Sequence, residues 1–171
     1  MDDAPYDPSG FDDIIRDIRR YLDDADSIFR RKERLDKDQR DYYARTMVLF
    51  ALSNRIMDLA RLVCLERRYV SGDEPVKNKV LFKRLHDHSV LSWDLRQEMI
   101  ALVNFRNKVS HHFSELSRDD LEMMYALIPV YNEFISLMEL EHSRARFQTK
   151  RNMIIGAVLV AVVLILLWYF S

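Results

Sequence analysis

An all-α, helical-bundle domain of four to five helices followed by one C-terminal transmembrane helix is the fold that this 171-residue sequence predicts. Three observations carry the expectation. Apolar residues recur at helical spacing, with Asp and Arg between them, through the first 142 positions. Three glycines and four prolines are too few for an all-β, collagen-like or low-complexity chain. From Met153 to Phe170 every residue but Gly156 is apolar, and Arg151 is the last charged residue.

The elements follow in order. Residues 1–10 form a flexible N-terminus, where Asp2, Asp3, Pro5 and Asp7 do not fit a basic-then-apolar leader. Ser9 with Asp12 makes a helix-start signature, and Ile14, Ile15, Ile18, Tyr21, Leu22, Ala25, Ile28 and Phe29 continue on one face. A longer helix runs from about Asp38 to Tyr69, with Val48, Ala51, Leu52, Ile56, Leu59, Leu62 and Val63 inward. Ser71 to Pro75 ends it with turn chemistry. A short helix near Lys77 to His86 buries Val80, Leu81 and Leu85. Ser92 opens the next, which carries Leu95, Met99, Leu102, Val103 and Val109. Ser117 with Asp120 caps a last long helix, which Pro129 kinks and which continues toward the apolar tail. The domain is therefore 11–142, with a basic juxtamembrane segment at 143–152 and the span at 153–170.

As a helix the span rises about 27 Å, near the thickness of a thin bilayer. Arg144, Arg146, Lys150 and Arg151 form a basic collar on one side, and Trp168 and Tyr169 an aromatic edge on the other. The positive-inside tendency keeps the collar, and the N-terminal domain with it, cytoplasmic. The expected location is a single-pass membrane protein with a C-terminal anchor. Cys64 alone excludes an intramolecular disulfide framework and a Cys-based metal cluster. No cofactor or metal motif is expected either: the three glycines are dispersed, and His86 and His88 point to different helix faces.

One stretch concentrates chemistry. Phe105-Arg106-Asn107-Lys108-Val109-Ser110-His111-His112-Phe113 places a guanidinium, an amide and two imidazoles at the end of an apolar helix. Asn107 and His111 are four apart, so the amide can orient the imidazole. Arg106 lies about 140° around the helix from His111, so only two such helices paired by a two-fold would converge both groups on one cleft. The local pattern admits two readings. In one, Arg106, Asn107 and His111 form a site; in the other, Lys108, His111 and His112 cap the helix C-terminus and oppose its dipole.

From about Asn54 to Ile135 the chain resembles the HepT-like branch of the HEPN superfamily. The likeness rests on LARLVCLERRY, the SGDEP turn, VLFKRLHDH, MIALVNFRNKVSHHF and SRDDLEMMYALIPVYNEFI, in that order. It implies a metal-independent RNA endonuclease, toxin-like or defence-related, working as a homodimer, with Arg106, Asn107 and His111 as catalytic positions. It also implies a nucleotidyltransferase-type antitoxin as partner. Phe113 stands where that branch carries a tyrosine that accepts nucleotidyl groups, and Phe113 has no hydroxyl. The alternative is a non-catalytic scaffold or regulator of the same fold, binding a protein partner at the membrane. A net charge of −1 gives no bulk attraction to RNA, but Lys77, Lys79, Lys83 and Arg84 form a local basic cluster as candidate RNA contacts.

Overall fold

The computed structural model describes residues 9–30, 39–72 and 75–169, with backbone only at 9 and 164–169. Among these residues the chain forms six α-helices and one 3-10 turn: α1 (Ser9–Phe29), α2 (Gln39–Glu66), α3 (Asn78–Asp87), α4 (Trp93–His111), the turn Phe113–Glu115, α5 (Arg118–Ala126) and α6 (Ile128–Tyr169).

Helix α2 is the axis, touching α1, α3, α4, α5 and α6. Its inward stripe of Leu52, Ile56, Leu59, Ala60 and Val63 is fully buried. Phe11, Ile15, Ile18, Ala25 and Phe29 of α1 enter the same core, as do Leu81, Phe82 and Leu85 of α3. Met99 and Leu102 of α4 and Tyr131, Phe134 and Met138 of α6 complete it. Each of the larger aliphatic and phenylalanine side chains among them contributes about 1.5–3 kcal/mol through removal of apolar surface from water. Val80 was expected among them, yet it is 38% exposed, because α3 turns Leu81 and Leu85 inward instead.

The helix ends follow the capping residues. Ser92 Oγ accepts from the Leu95 amide at 3.1 Å, which starts α4. Ser117 and Asp120 form a reciprocal capping box at the start of α5. Helix α2 closes at Arg68, which sits at φ 58° while the Tyr69 amide reaches back to the Cys64 carbonyl at 2.8 Å. That is the left-handed closure usually given to glycine, here occupied by arginine. Ser89 closes α3 the same way, with the Val90 amide on the Leu85 carbonyl.

One expectation is corrected and a second finds no support among the described residues. The long C-terminal helix is broken, not kinked: α5 ends at Ala126 and α6 begins at Ile128. Pro129 has no N–H to continue the ladder, and its ring would meet the carbonyl four residues earlier. Second, among the described residues no helix is long and apolar enough to cross a membrane. The apolar stretch whose side chains are described, 153–163, rises about 16 Å, roughly half a hydrocarbon core. The rest of the expected span, 164–170, including the side chains of Trp168 and Tyr169, lies outside those residues. Helix α6 does run unbroken from the core into this stretch. His142 is its last buried side chain, and every side chain from Arg146 to Val163 is exposed.

Candidate active site at the end of the motif helix

Arg106 leaves α4 half-buried, because α2 holds it from below. Its Nε donates to Asn54 Oδ1 at 3.1 Å, and its guanidinium carbon lies 5.8 Å from the centre of the Phe50 ring. Phe50 and Asn54 are one turn apart on α2 and form a seat that fixes the stem and one edge of the guanidinium. Its terminal nitrogens make no hydrogen bond or ion pair among the described residues, so the fork is open to an anion.

Two residues further along, Lys108 bonds Asp120 Oδ2 at 2.7 Å. Burial alone would push the Asp120 carboxyl up. The hydrogen bonds from Lys108 and Ser117 outweigh it and hold that carboxyl below its ordinary range. The α4 terminus is thus pinned to the start of α5. His112 approaches Glu115 across the 3-10 turn, with Nδ1 3.3 Å from the carboxylate. Lys108 and His112 thus spend their side chains on acids across the turn and not on the last carbonyls of α4. His111 is exposed and has no hydrogen bond or ion pair among the described residues.

Asn107 is exposed as well, and no hydrogen bond joins it to His111; the expected orientation of imidazole by amide is not formed within one chain. Arg106 is angled toward α2 while Asn107 and His111 face outward, as the 140° separation requires.

Phe113 closes the end of the site. Its ring stacks on Tyr43 of α2, with centroids 5.6 Å apart and planes within 8°, and meets Tyr42 edge-on at 5.9 Å. Tyr42 donates its hydroxyl to the Leu116 carbonyl at 2.7 Å, which ties α2 to the turn. Asn54, Phe50, Tyr42 and Tyr43 were not singled out in the sequence. The available signal was Tyr43, Met47, Phe50 and Asn54 at 4, 3, 4 spacing, one helix face mixing rings with an amide.

The other expected site residues sit elsewhere. Lys77 and Lys79 are exposed, and Lys83 is taken up by Asp87 at 2.7 Å. Arg84 lines a separate groove of about 550 Å³ with Arg68, Tyr69, Val70, Val76 and Val80. None of these four basic residues bonds Arg106, Asn107 or His111 among the described residues. Arg146, Lys150 and Arg151 are exposed on α6. Cys64 is no nucleophile: burial pushes its thiol up to about 12, with its Sγ against the Leu81 carbonyl. Among the described residues no three His, Cys, Asp or Glu side chains converge as metal ligands.

A small helical protein that presents an arginine and an imidazole at the end of a helix packed on the bundle axis is the class that fold and site define. The family model described as Ribonuclease HepT-like matches residues 13–138, and the chain belongs to that family. Solved structures agree on the fold. A tri-AMPylated HEPN toxin of Shewanella oneidensis in complex with MNT antitoxin superposes with a TM-score of 0.68 at 16% identity, covering 82% of this chain and 99% of the other. A toxin-antitoxin with AMP-PNP gives 0.67 at 14% identity, covering 76% and 97%. A mutant of the toxin-antitoxin MntA-HpeT gives 0.66 at 14% identity, covering 76% and 98%. No curated protein gives a significant match.

Proposed function

We propose that the protein is a metal-independent RNA endonuclease of the HepT type, a toxin-like or defence-related homodimer held at a membrane. The observation that carries this is Arg106, seated by Asn54 and Phe50 with its outer nitrogens open, five residues before an uncommitted, exposed His111. In a two-fold dimer the α4 ends of both copies face one cleft, where the separated groups of one helix are complemented by those of the other. An imidazole can both take up and give back a proton, so His111 removes the proton from a ribose 2′-hydroxyl as it attacks phosphorus, or returns one to the departing 5′ oxygen. Arg106 holds the phosphate and neutralises the charge that gathers on its oxygens. Asn107, exposed beside them, positions substrate or imidazole. The 2′-hydroxyl as nucleophile makes the substrate RNA. The toxin-antitoxin complexes of the same fold support a nucleotidyltransferase-type antitoxin as partner. With no hydroxyl on Phe113, that pairing is non-covalent at this position.

The full chain, purified in mild detergent and incubated with single-stranded and structured RNA in EDTA, is expected to cleave. His111→Ala is expected to reduce the rate by about a hundred-fold or more. Cleavage unaltered by that substitution, or none by the parent, would leave the non-catalytic scaffold as the better reading.

Attachment to the bilayer is proposed through 153–170, with the domain on the cytoplasmic side. Its support is a run apolar on every face, leaving the body of α6 exposed and preceded by Arg146, Lys150 and Arg151. After expression, the chain is expected to stay with the membrane pellet through alkaline carbonate washing. Release into the supernatant would overturn this part.

A further inference from the structure

The geometry points to Tyr43 as a stacking platform for an unpaired RNA base, a subsite that adjoins the phosphate position at Arg106. The inference rests on the RNA reading above and adds the residue that would hold the strand beside the reacting phosphate.

Tyr43 is 45% exposed although it sits on α2, the most enclosed helix of the bundle. One face of its ring is backed in parallel by Phe113, and Tyr42 abuts both rings edge-on. Tyr42 is in turn fixed to the Leu116 carbonyl, so the platform is held from beneath. A ring supported on one face and open elsewhere can receive a planar partner with little loss of side-chain freedom. Such rings are what single-stranded RNA uses: bases stack on aromatic side chains while arginines hold the phosphates.

Its place on the helix gives the assignment its direction. Seven residues separate Tyr43 from Phe50, the ring under Arg106, which is about 10 Å along α2. Phe113, stacked on Tyr43, lies two residues beyond His111. The platform and the seat of Arg106 therefore share one face of α2, and along α4 His111 falls between the residues that reach them, so a strand lying on that face meets the guanidinium and the ring in turn. Met47, 55% exposed, lies on the same face of α2 between them. It supplies a soft apolar floor with no charge to repel phosphate.

The chemistry of the ring, not its hydroxyl, is what the platform needs. Gln39 Nε2 donates to the Tyr43 hydroxyl at 3.3 Å on the exposed surface. Loss of that bond is expected to matter little.

The test uses the full chain with His111→Ala, so that RNA is not consumed, and a short fluorescein-labelled oligoadenylate read by anisotropy. Tyr43→Ala is expected to weaken binding by between about five-fold and a hundred-fold, the span of one base–aromatic stack. Tyr43→Phe is expected to stay within about two-fold of its parent. Placing one abasic nucleotide in the oligomer at successive positions is expected to erase the Tyr43→Ala effect at a single position. Equal binding by Tyr43→Ala overturns the platform. So does a loss in Tyr43→Phe as large as in Tyr43→Ala, which would assign the role to the hydroxyl. A dimer weakened by Tyr43→Ala in light scattering, at unchanged RNA affinity per dimer, also overturns it and makes this face a contact between copies. The nuclease reading is judged separately, by cleavage before and after His111→Ala. A Tyr43-dependent affinity without cleavage keeps the platform and removes the enzyme.

Discussion

Replacing Arg106 by alanine is expected to lower RNA cleavage by about a hundred- to a thousand-fold, with the fold intact. The magnitude is that of removing one donor group from a charge-developing transition state. Arg106 is half-buried and gives one hydrogen bond to the body of the protein, so its removal is expected to cost only about 1 kcal/mol of stability. Arg106→Lys is expected to recover little. An ammonium has no planar fork for two phosphate oxygens, and its compact charge does not take the same place over the Phe50 ring. Asn54 acts through Arg106 as a positioning residue. Asn54→Ala is expected to reduce kcat by about ten-fold, since a small misplacement of a charged group costs rate. Asn54→Asp, which keeps an oxygen facing Arg106 Nε, is expected to restore most of it. Single-turnover cleavage of a labelled RNA, alongside thermal unfolding of each variant, checks the set. A full rate in Arg106→Ala would remove the guanidinium from the chemistry.

Why Arg106 was legible and Asn54 was not is a matter of range. Helix starts, helix faces and caps are local, and these hold: Ser92 and Ser117 cap as their spacing implies, and Leu52, Ile56, Leu59 and Val63 are buried at the expected period. Arg106 and His111 stood out because polar groups interrupt an apolar helix. Their supports come from far along the chain. Asn54 lies 52 positions from Arg106, and Glu66 lies 76 from His142. Periodicity says which face of a helix is inward, and it carries nothing about which helix it meets or at what height. The same gap explains Val80. An apolar residue at the margin of a stripe is placed inside or outside by the neighbour's angle, and α3 crosses α2 with Leu81 against Cys64. The break at Leu127 was partly visible. Pro129 announced a disturbance, but whether a helix bends or restarts depends on what packs on either side. Here Met124 and Tyr131 are both buried, and the helices that carry them are separate.

The second large effect concerns the knot where α6 leaves the domain. His142 Nδ1 lies 2.8 and 2.9 Å from the two oxygens of Glu66, and both side chains are less than a tenth exposed. Phe11 stacks flat on the imidazole at 3.8 Å, so α1, α2 and α6 meet at this pair. Beside it Arg67 Nε sits 3.0 Å from Glu141 Oε2, an ion pair whose N–H is not aimed for a hydrogen bond. Burial pushes the Glu66 carboxyl up, and His142 and then Arg146 pull it part of the way back. With the net shift upward, the folded chain keeps a proton on Glu66 that the unfolded chain releases. This group's contribution to stability is therefore complete below the ordinary carboxylate range, near 4.5, and falls as pH rises toward the raised value. His142→Ala leaves the buried carboxyl without its nearest partner, and is expected to cost about 3–5 kcal/mol at neutral pH. The cost is expected to shrink toward pH 5, where the carboxyl can take up a proton. Glu66→Gln removes the charge but keeps a group able to bond the imidazole; it is expected to be milder than His142→Ala and to flatten the pH dependence. Urea unfolding of the full chain in detergent at pH 5, 6, 7 and 8 measures all three. A cost of His142→Ala that grows toward acid would reverse the sign and place the buried charge on the imidazole side of the pair. In the predicted direction, the same pair makes the last buried turn of α6 the element whose attachment weakens as pH rises. Every residue that leads from the domain into the apolar run must pass through that turn.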